Sequence, residues 1–293
     1  MNMGCPLEFV TFHVALGSSK EVHPNQTLKH REYLSMIDMM FASARLFHPE
    51  AKTTVLTDPD TDFHGMEHSA DRTVRSTIDN NRFMLERADA QSRYVQDSSF
   101  ARPMVMLDSD ILINAPLAPL FGRGFDVAVT WRDNADMPIN GGLLILNNTR
   151  PDVAKRFFSR FTAIYREKYS DQAAWFGDQL ALRDCVGLGL ADLAARETVE
   201  VDGCRILLLP CDTYNFSPDN RYGEICSELP GKVVVHFKGQ RKRLMGPFWR
   251  AWLRSRHSYS PWVAFDGWRE RRWLSRQSLL EMQTPGLVDD LEA

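Results

Sequence analysis

Two aspartates interrupt an apolar segment of this sequence, "VMLDSDILI" at residues 105–113, and they are its clearest candidates for chemistry. Asp108 and Asp110 are two residues apart, so on an extended backbone their carboxylates would project from the same side of the chain. Two such carboxylates repel each other unless a positive charge lies between them. A divalent cation would satisfy both, and Mg²⁺ or Mn²⁺ usually completes its shell with substrate phosphates and water. In the alternative interpretation Asp108 caps a turn and Asp110 is solvated, because a D-x-D pattern alone is common.

A histidine at the end of a late apolar segment, "VVVHFKGQRK" at residues 233–242, is a candidate third ligand. An imidazole there would shift the preference of a metal site from Mg²⁺ toward Mn²⁺. His236 is followed by Lys238, Gly239 and Lys242, and cations beside a glycine suit a diphosphate. The alternative is a core histidine whose ring nitrogens are hydrogen-bonded within the protein.

Two further segments carry polar residues in apolar surroundings. The segment "INGGLLILN" (139–147) places Asn140 and two glycines before a strand, where the backbone could approach a ligand closely. The segment "GDQLAL" (177–182) places Asp178 and Gln179 in an apolar helical stretch, and a buried acid is costly unless it is paired. A hairpin turn at the glycines and an exposed helix position for Asp178 are the alternatives.

The segments around these residues alternate between strand-like and helix-like patterns. Apolar runs predict strands at residues 8–16, 53–58, 103–107, 126–131, 141–147, 205–210 and 232–237. Apolar residues at helical spacing predict helices at residues 28–47, 82–95, 151–168 and 172–186. Alternation of this kind predicts a layered α/β sheet with crossover helices. Ligands of such sheets bind at the carboxyl ends of the strands, where the two aspartates are expected.

The composition limits the classes of function. The chain has 293 residues, 44% of them hydrophobic and 25% charged, as expected for one large domain or one domain with an appendage. A net charge of −3 favours no nucleic-acid partner. The sequence contains no run of about 18 apolar residues, which is the length that a membrane-spanning helix needs. Residues 1–6 lack the basic and apolar regions of a signal peptide, so we expect a cytoplasmic protein.

The cysteines favour neither a disulfide framework nor a zinc site. Their number is odd, their spacing is irregular and no C-x-x-C pattern occurs, which is typical of a reduced cytosolic set. The five are Cys5, Cys185, Cys204, Cys211 and Cys226.

The C-terminal part differs in composition from the rest of the chain. Residues 241–276 contain ten arginines and lysines but only two acids, a local charge of about +8 that leaves about −11 on the remainder. They also contain five of the seven tryptophans. Tryptophan with arginine suits an interface between water and anionic headgroups, so residues 241–276 are a candidate for peripheral membrane contact. The alternative is a helical cap that packs its aromatic side chains on the domain.

In their order along the chain, these motifs resemble those of glycosyltransferase family 8, enzymes with a GT-A-type nucleotide-diphospho-sugar transferase fold. The matching elements are the D-x-D after an inner strand, an N-x-G before the next long strand, a D-Q on a helix and an H-F-x-G-x-x-K near the C-terminus. The loop "TYNF" (213–216) is similar to an asparagine-containing loop of the family. The chain is similar in this to bacterial lipopolysaccharide galactosyltransferases and to glycogenin. The resemblance covers residues 8–250 and implies a mixed, mostly parallel central sheet flanked by helices.

The resemblance implies a role for each candidate at the metal and the diphosphate. Asp108, Asp110 and His236 would hold Mn²⁺ (or Mg²⁺), which bridges the diphosphate of a nucleotide sugar. Gly239 and Lys242 would contact the phosphates. The sequence departs from the family after this lysine, where Arg243 and Leu244 stand in place of the usual Pro-Trp.

The same resemblance places the nucleotide and the sugar. Four residues would surround the base, which we expect to be uracil: Thr11, Phe12, His13 and Asp58. A basic residue on the helix at 82–95 would contact phosphate or sugar, and Arg82 and Arg87 match it almost equally well. Three residues would bind the hydroxyls of the donor sugar: Asn140, Gly142 and Asp178. Gln179 would lie near the anomeric carbon and form the catalytic pair with Asp178.

The implied activity is that of a metal-dependent hexosyltransferase. It would move a hexose from a UDP-sugar to a glycan or to a lipid-linked, lipopolysaccharide-like acceptor, with retention of the anomeric configuration. Residues 1–245 would form the transferase domain, followed by a basic, tryptophan-rich helical extension at 246–293. The protein would lie in the cytoplasm, with peripheral contact at the inner membrane face through residues 241–276.

Two alternatives stay open at this point. A phosphatase of the haloacid dehalogenase type also uses an apolar strand that ends in D-x-D, and it could recruit Thr130, Lys155 and Asp178 as later motifs. However, its D-x-D normally follows the first strand of its domain, whereas two predicted strands precede Asp108 here. A nucleotide-sugar-binding scaffold would keep every metal ligand without turnover.

Overall fold

The structure, a computed structural model, describes residues 6–15, 29–66, 70–172 and 176–283. Within these residues, ten strands form an eight-stranded sheet and a two-stranded sheet. The strands are β1 (Glu8–Phe12), β2 (Lys52–Thr57), β3 (Arg72–Arg75), β4 (Met104–Leu107), β5 (Ile111–Ile113), β6 (Val127–Trp131), β7 (Ile139–Leu146), β8 (Thr198–Val201), β9 (Cys204–Pro210) and β10 (Val234–His236). The helices are α1 (His30–Phe47), α2 (Phe83–Asp97), α3 (Pro151–Lys168), α4 (Gly177–Val186), α5 (Leu190–Ala195), α6 (Cys211–Tyr214), α7 (Lys242–Phe248) and α8 (Pro261–Gln283), with a π-helical segment at Trp249–Arg254.

The larger sheet is mixed and mostly parallel, with the strand order β3-β2-β1-β4-β7-β6-β9-β8. Its parallel pairs are β1 with β2, β1 with β4, β2 with β3, and β6 with β9. Strand β7 is antiparallel to both β4 and β6. The carboxyl ends of β1, β2, β4, β6 and β9 therefore meet the amino end of β7 at one edge, which we call the site edge. This arrangement confirms the predicted α/β fold.

Apolar residues cover both faces of this sheet, because neighbouring residues in a strand point to opposite sides. Phe9 of β1 and Val105 of β4 belong to a buried cluster that includes residues of α1. Val10 and Met106 belong to a second cluster, with residues of α2, α3 and α4. The central strands are thus buried on both sides, and polar side chains are tolerated only where the strands end.

The segment after β10 completes the cluster that contains α1. Leu244, Phe248, Leu253 and Leu274 are all buried there. The expected domain boundary between residues 245 and 246 falls within α7, between Leu244 and Phe248. The basic, tryptophan-rich segment is therefore anchored on the rest of the fold through its buried residues.

The sequence predicts neither β3 nor β8, and the predicted strand at residues 8–16 ends at Phe12. β5, of three residues, is also absent from the predicted strands. β3 and β8 lie at the two ends of the larger sheet; RTVR of β3 is largely exposed and TVEV of β8 is mostly half-buried. Such edge strands carry too little apolar periodicity to be recognised. The predicted helix at 172–186 begins later, at Gly177. Residues 1–5, including Cys5, lie outside the described residues, and the other four cysteines are free thiols.

Candidate active site

The loop between β4 and β5 carries the two aspartates to the site edge. Asp108 follows the last residue of β4 directly, and the chain turns at Ser109 and Asp110 before β5 begins. The carboxylates therefore converge because the backbone turns. The two-residue repeat of an extended strand, on which the sequence argument relied, does not apply here.

The two-stranded sheet brings His236 to these aspartates. Strand β10 pairs antiparallel with β5, so that His236 lies opposite Ile111. The backbone N–H of Phe237 donates to the carbonyl oxygen of Asp110 at 2.8 Å. Nε2 of His236 is 3.0 Å from Oδ1 of Asp110 and 3.6 Å from Oδ2 of Asp108. Residues that are far apart in sequence are thus joined by three residue pairs between β5 and β10.

The three side chains form a donor set that fits a divalent cation. One ligand atom from each of Asp108, Asp110 and His236 lies within 4.8 Å of the other two. Carboxylate oxygens suit Mg²⁺ and Mn²⁺, and an imidazole nitrogen favours the transition metal. Asp110 and His236 are buried, whereas Asp108 is half-buried. The cluster is therefore accessible to a ligand on the side of Asp108.

Two basic residues neutralise these carboxylates. Nζ of Lys242 is 2.9 Å from Oδ2 of Asp110, and Nη2 of Arg87 is 2.8 Å from Oδ1 of Asp108. Burial alone would raise the pKa of Asp110, but Lys242 and His236 outweigh it and hold that pKa well below its usual range. Burial opposes the charge of Lys242, and Asp110 more than compensates, so the pKa of Lys242 is raised. Both side chains of this pair are therefore ionised at neutral pH.

Asn215 fixes the orientation of the His236 ring. Nδ1 of His236 is 2.8 Å from Oδ1 of Asn215, and because an amide oxygen can only accept, Nδ1 carries the proton. Nε2 is then the ring nitrogen that faces the two aspartates, and its lone pair would bind a metal ion held between them. Burial lowers the pKa of His236, which favours the neutral ring.

A chain of buried amides extends from Asn215 across the site edge. Its Nδ2 donates to Oγ1 of Thr130 at 2.9 Å and to Oδ1 of Asn140 at 2.7 Å. Nδ2 of Asn140 donates in turn to Oε1 of Gln179 at 3.2 Å. The ring of His236 and the amide of Gln179 therefore belong to one hydrogen-bond network.

A β-bulge in β7 makes room for the histidine ring. The register between β6 and β7 shifts after Val129, so that Thr130 pairs with Asn140 and the glycines lie in the bulge. A Cβ on Gly142 would lie only 2.5 Å from Cε1 of His236. The hairpin turn considered from the sequence is wrong, because these glycines lie within a strand. The space beside Gly142 is occupied by the protein's own imidazole.

Asp178 is a buried acid in the first turn of α4, and one of its oxygens has no partner. Its Oδ2 is 4.0 Å from Nη1 of Arg87, whereas Oδ1 has no hydrogen-bond partner among the described residues. Burial raises the pKa of Asp178; Arg87 opposes this shift and Asp108 adds to it. The exposed position considered from the sequence is therefore wrong. A buried acceptor without a donor is a candidate for binding a ligand hydroxyl.

Of the two arginines near the start of α2, Arg87 is the one that reaches the aspartates. Arg82 is exposed at the end of a short 3₁₀ helix, before α2 begins. Arg87 is buried, and its Nη2 also donates to the carbonyl oxygen of Gly141 at 2.9 Å. Burial works against its charge, but Asp108 and Asp178 raise the pKa of Arg87. A contact between Arg82 and a phosphate stays a prediction.

Thr11 and Phe12, expected near the base, are buried at the end of β1. The hydroxyl of Thr11 donates to the carbonyl oxygen of Leu107 at 2.9 Å, which ties β1 to β4. The ring of Phe12 lies 5.4 Å from that of Phe83. Both side chains serve the packing of the site edge, and a contact with a base stays a prediction.

His13 and Asp58 lie just beyond the ends of β1 and β2. The ring of His13 stacks against Tyr33 and His30, with ring centroids 5.4 and 5.5 Å away. Burial, with a smaller contribution from His30, lowers the pKa of His13 to about 3, so the ring is neutral. Oδ1 of Asp58 accepts from the backbone N–H of Thr61 at 2.8 Å. Together they form an aromatic and acidic wall at this end of the site edge.

Two residues of the site were not assigned a role from the sequence. Asn215 was noted only as part of the loop at 213–216, and Arg132 was not considered. Nη2 of Arg132 donates to Oε1 of Gln179 at 3.3 Å. A usable signal existed for Arg132, since it directly follows the predicted strand at 126–131. Asn215 offered none beyond the resemblance, because its function depends on a partner 21 residues away.

Comparison with known proteins supports the fold. No family model and no curated protein sequence matches the chain. Among solved structures, the glycosyltransferase GlyE from Streptococcus pneumoniae TIGR4 is 14% identical with a TM-score of 0.51, over 92% of this chain and 64% of that chain. The bifunctional glycosyltransferase WbbM is 12% identical with a TM-score of 0.51, over 90% of this chain and 52% of that chain. The chain thus spans less than two thirds of either protein, and it has the GT-A-type fold that the sequence predicts.

Proposed function

We propose that this protein is a family 8 glycosyltransferase that moves a hexose from a UDP-sugar to a glycan or lipid-linked acceptor, with retention of the anomeric configuration. The observation that supports this most is the convergence of Asp108, Asp110 and His236 within 4.8 Å at the site edge of a GT-A-type sheet. Two solved proteins with this fold are themselves described as glycosyltransferases.

Glycosyl transfer breaks the bond between an anomeric carbon and a diphosphate, and the leaving group gains negative charge as the sugar becomes oxocarbenium-like. A divalent cation held by the three ligands, Mn²⁺ in our proposal, would stabilise that charge as a Lewis acid. Lys242 and the backbone amide of Gly239 add positive potential at the same place. Gly239 has a φ of +56°, which favours glycine, and it begins the turn that returns Lys242 to Asp110.

The sugar would lie over α4 and the bulge of β7. There, the unpartnered Oδ1 of Asp178 would accept a hydrogen bond from a sugar hydroxyl. Gln179 is a poor nucleophile, because its amide is neutral and its Oε1 already accepts from Arg132 and Asn140. We therefore favour attack by the acceptor hydroxyl on the face from which the diphosphate leaves.

The base would lie at the ends of β1 and β2, beside His13 and Asp58. This placement follows from the strand order, since β1 is next to β4 and β2 is one strand further. A nucleotide whose diphosphate reaches Asp108 would extend across these two strands. Uracil suits the space in our proposal because the neutral imidazole of His13 can form only neutral hydrogen bonds.

A donor screen tests this proposal. The protein, with Mn²⁺, is incubated with UDP-, GDP- and CMP-hexoses, and the released nucleotide is measured. We expect slow hydrolysis of UDP-hexoses that stops when Mn²⁺ is removed. A thermal shift by UDP-hexose without nucleotide release would favour the scaffold. Absence of both binding and hydrolysis across the panel would contradict the proposal.

The phosphatase alternative has less support in the structure. Lys155, which it would recruit, lies on α3 with its ammonium 6.0 Å from the ring centroid of Phe100. Phe100 precedes β4, and so lies toward the edge opposite Asp108. Thr130 is buried and hydrogen-bonded to Asn215. Hydrolysis of a simple phosphomonoester with phosphorylation of Asp108 would favour this alternative.

We further propose that α8 brings the cytoplasmic enzyme to the inner face of a membrane, where a lipid-linked acceptor lies. Leu274 anchors one face of α8, while Trp262, Phe265 and Trp268 are 79%, 51% and 46% exposed on the other. The guanidinium of Arg272 lies 4.9 Å from the ring centroid of Trp268. No helix in the described part of the chain is apolar and long enough to cross a bilayer, so the contact would be peripheral.

Vesicle sedimentation tests this contact. At low salt, we expect the protein to sediment with phosphatidylglycerol vesicles and not with phosphatidylcholine vesicles. The double substitution W262S/F265S should lower the vesicle partition constant about 30-fold, since each ring contributes about 1 kcal/mol to interfacial binding. Equal sedimentation of the double variant, or none of the parent protein, would contradict the membrane role.

A further inference from the structure

Two cations at the site edge, Arg132 and Lys238, form no ion pair with an acid in the described part of the chain. Arg132 follows β6 and is half-buried, and Lys238 is half-buried two residues after His236. Among the described residues, neither side chain forms an ion pair within 4.0 Å, whereas each of the three acids of the site has a basic neighbour. The polar atoms of Arg132 contact only neutral oxygens, those of Met137 and Gln179.

The two cations are close enough to influence each other. Trp131 pairs with Pro210, so Arg132 lies next to Cys211 at the ends of β6 and β9. Asn215 is hydrogen-bonded both to Thr130, two residues before Arg132, and to His236, two residues before Lys238, so both cations lie at the same place on the site edge. Both cations also lower the pKa of the Cys211 thiol, which burial raises. Two like charges in a half-buried place, with no acid of the described chain within 4.0 Å of either, leave a local excess of positive potential.

The strand order separates this pair from the nucleotide. From β1, the order continues through β4 and β7 to β6, which is three strands away. With strands about 4.8 Å apart, the end of β6 lies about 14 Å from the end of β1. The metal cluster is at β4 and Gln179 is bonded to Arg132, so a bound donor would place its sugar between the diphosphate and this pair. The ligand that reaches Arg132 and Lys238 is therefore the acceptor.

We propose that Arg132 and Lys238 bind an oxyanion, a phosphate or a carboxylate, on the acceptor sugar, and so select an anionic acceptor. This inference rests on the proposed glycosyltransferase function. A guanidinium and an ammonium are the two side chains that bind oxyanions most strongly, and a charge-assisted hydrogen bond in a half-buried site strengthens binding more than a neutral one. An uncharged sugar would leave both cations desolvated without compensation.

The test is a binding experiment with matched sugars, in protein saturated with Mn²⁺ and UDP. The probes are glucose and galactose, their 6-sulfates and the corresponding uronic acids, since sulfate esters mimic phosphate without capturing Mn²⁺. Titration calorimetry should show that at least one anionic sugar binds about tenfold or more tightly than its neutral parent. The sulfate and uronate probes distinguish a phosphate-like from a carboxylate group.

Two variants and a control connect this preference to the pair. Arg132→Gln and Lys238→Gln should each reduce the preference about tenfold, and in Arg132→Gln the affinity for UDP with Mn²⁺ should stay within about threefold of the parent value. The control is Lys232→Gln, since Lys232 precedes the other end of β10 and pairs with Asp212 at 2.8 Å. It should retain the full preference.

Three results would overturn the inference. Equal affinity for charged and neutral sugars would show that the pair does not select an anion. A large loss of UDP affinity in both variants would assign the two cations to the donor. A loss of the preference in Lys232→Gln would show only general charge attraction. Failure of the parent protein to bind UDP with Mn²⁺ would count against the proposed function, and the sugar titrations, repeated without UDP, would still decide whether this pair binds oxyanions.

Discussion

Two buried aspartates at opposite edges of the sheet differ in how fully their oxygens are satisfied. Asp126, directly before β6, accepts hydrogen bonds from Nε and Nη2 of Arg150 and from the backbone N–H of Arg205. Asp178, at the site edge, has Arg87 at 4.0 Å, and its Oδ1 has no partner in the described part of the chain. The two are 2% and 5% exposed, so burial alone does not distinguish them. We infer that a buried acid whose oxygens all accept hydrogen bonds stabilises the fold, whereas a buried acid with an unpaired oxygen marks a binding site.

Asp110 lies between these extremes. Its oxygens are bonded to Lys242 and His236, but both partners are residues that we expect to contact a ligand. The comparison therefore predicts that substitutions at the site edge affect binding, whereas substitutions at the opposite edge affect stability.

The largest effect is expected from Asp110→Asn, which removes the charge of a metal ligand and keeps its volume. We expect the Mn²⁺-dependent release of UDP from the donor to fall about 10³-fold. The melting temperature should change little, because loss of the ion pair with Lys242 is offset by relief of the repulsion between the neighbouring carboxylates of Asp108 and Asp110. A variant that releases UDP at the parent rate would contradict a metal-binding role for Asp110. So would a parent protein that binds UDP equally well without Mn²⁺.

The matched change at the opposite edge is Asp126→Asn. It places an amide N–H₂ group among the donors that now saturate a buried carboxylate, including the backbone N–H of Arg205, so the free energy of unfolding should fall by about 2 kcal/mol. Urea denaturation measures this change. Binding of UDP with Mn²⁺ should persist at the parent affinity in the folded protein, and a loss comparable to that of Asp110→Asn would show that the two edges are not separate.

Gly142→Ala tests the proposed metal site without changing any charge. The added methyl group would lie 2.5 Å from Cε1 of His236 and displace the ring. We expect the affinity for Mn²⁺, followed by electron paramagnetic resonance, to fall about 30-fold. The control is Gly122→Ala, where a Cβ meets nothing within 4 Å. Equal affinities in the two variants would mean that the histidine does not bind the ion.

The smallest effect concerns His48, a buried polar residue distant from both aspartates. Its Nε2 accepts from the backbone N–H of Leu117 at 3.1 Å, and burial lowers its pKa from 6.5 to about 4. The unfolded chain therefore binds a proton first, and stability present above pH 6.5 is lost as the pH falls toward 4. After allowance for solvent screening, we expect a loss of about 1.5 kcal/mol between pH 7.5 and 4.5. In His48→Gln this part of the pH dependence should disappear, and an unchanged profile would contradict the assignment.

The sequence predicted the inner strands and the long helices because apolar spacing reports burial directly. It also predicted that Asp108, Asp110 and His236 would share one place, and the structure brings them together. This prediction succeeded because of the order of the motifs along the chain. The expectation that the two aspartates share one side of an extended strand was wrong, since they lie in a turn.

The support of the site could not be predicted in the same way. Asn215 orients His236 through a single hydrogen bond, and Gly142 matters because of the ring opposite it. Both effects are contacts between segments that are distant in sequence, and no local sequence pattern indicates them. The sequence could not decide between Arg82 and Arg87 for the same reason. Only the start of α2, which packing fixes, determines which of the two faces Asp108.

The pairing of β5 with β10 has a consequence for how the protein is made. A ribosome delivers the aspartates long before the histidine, and nothing upstream of residue 234 can supply the opposite strand. The nascent chain can therefore assemble the parallel half of the sheet while its acids still lack their imidazole partner. The three-residue cluster is therefore complete only once β10 has been made, and a chain that stopped earlier would hold Asp108 and Asp110 without His236.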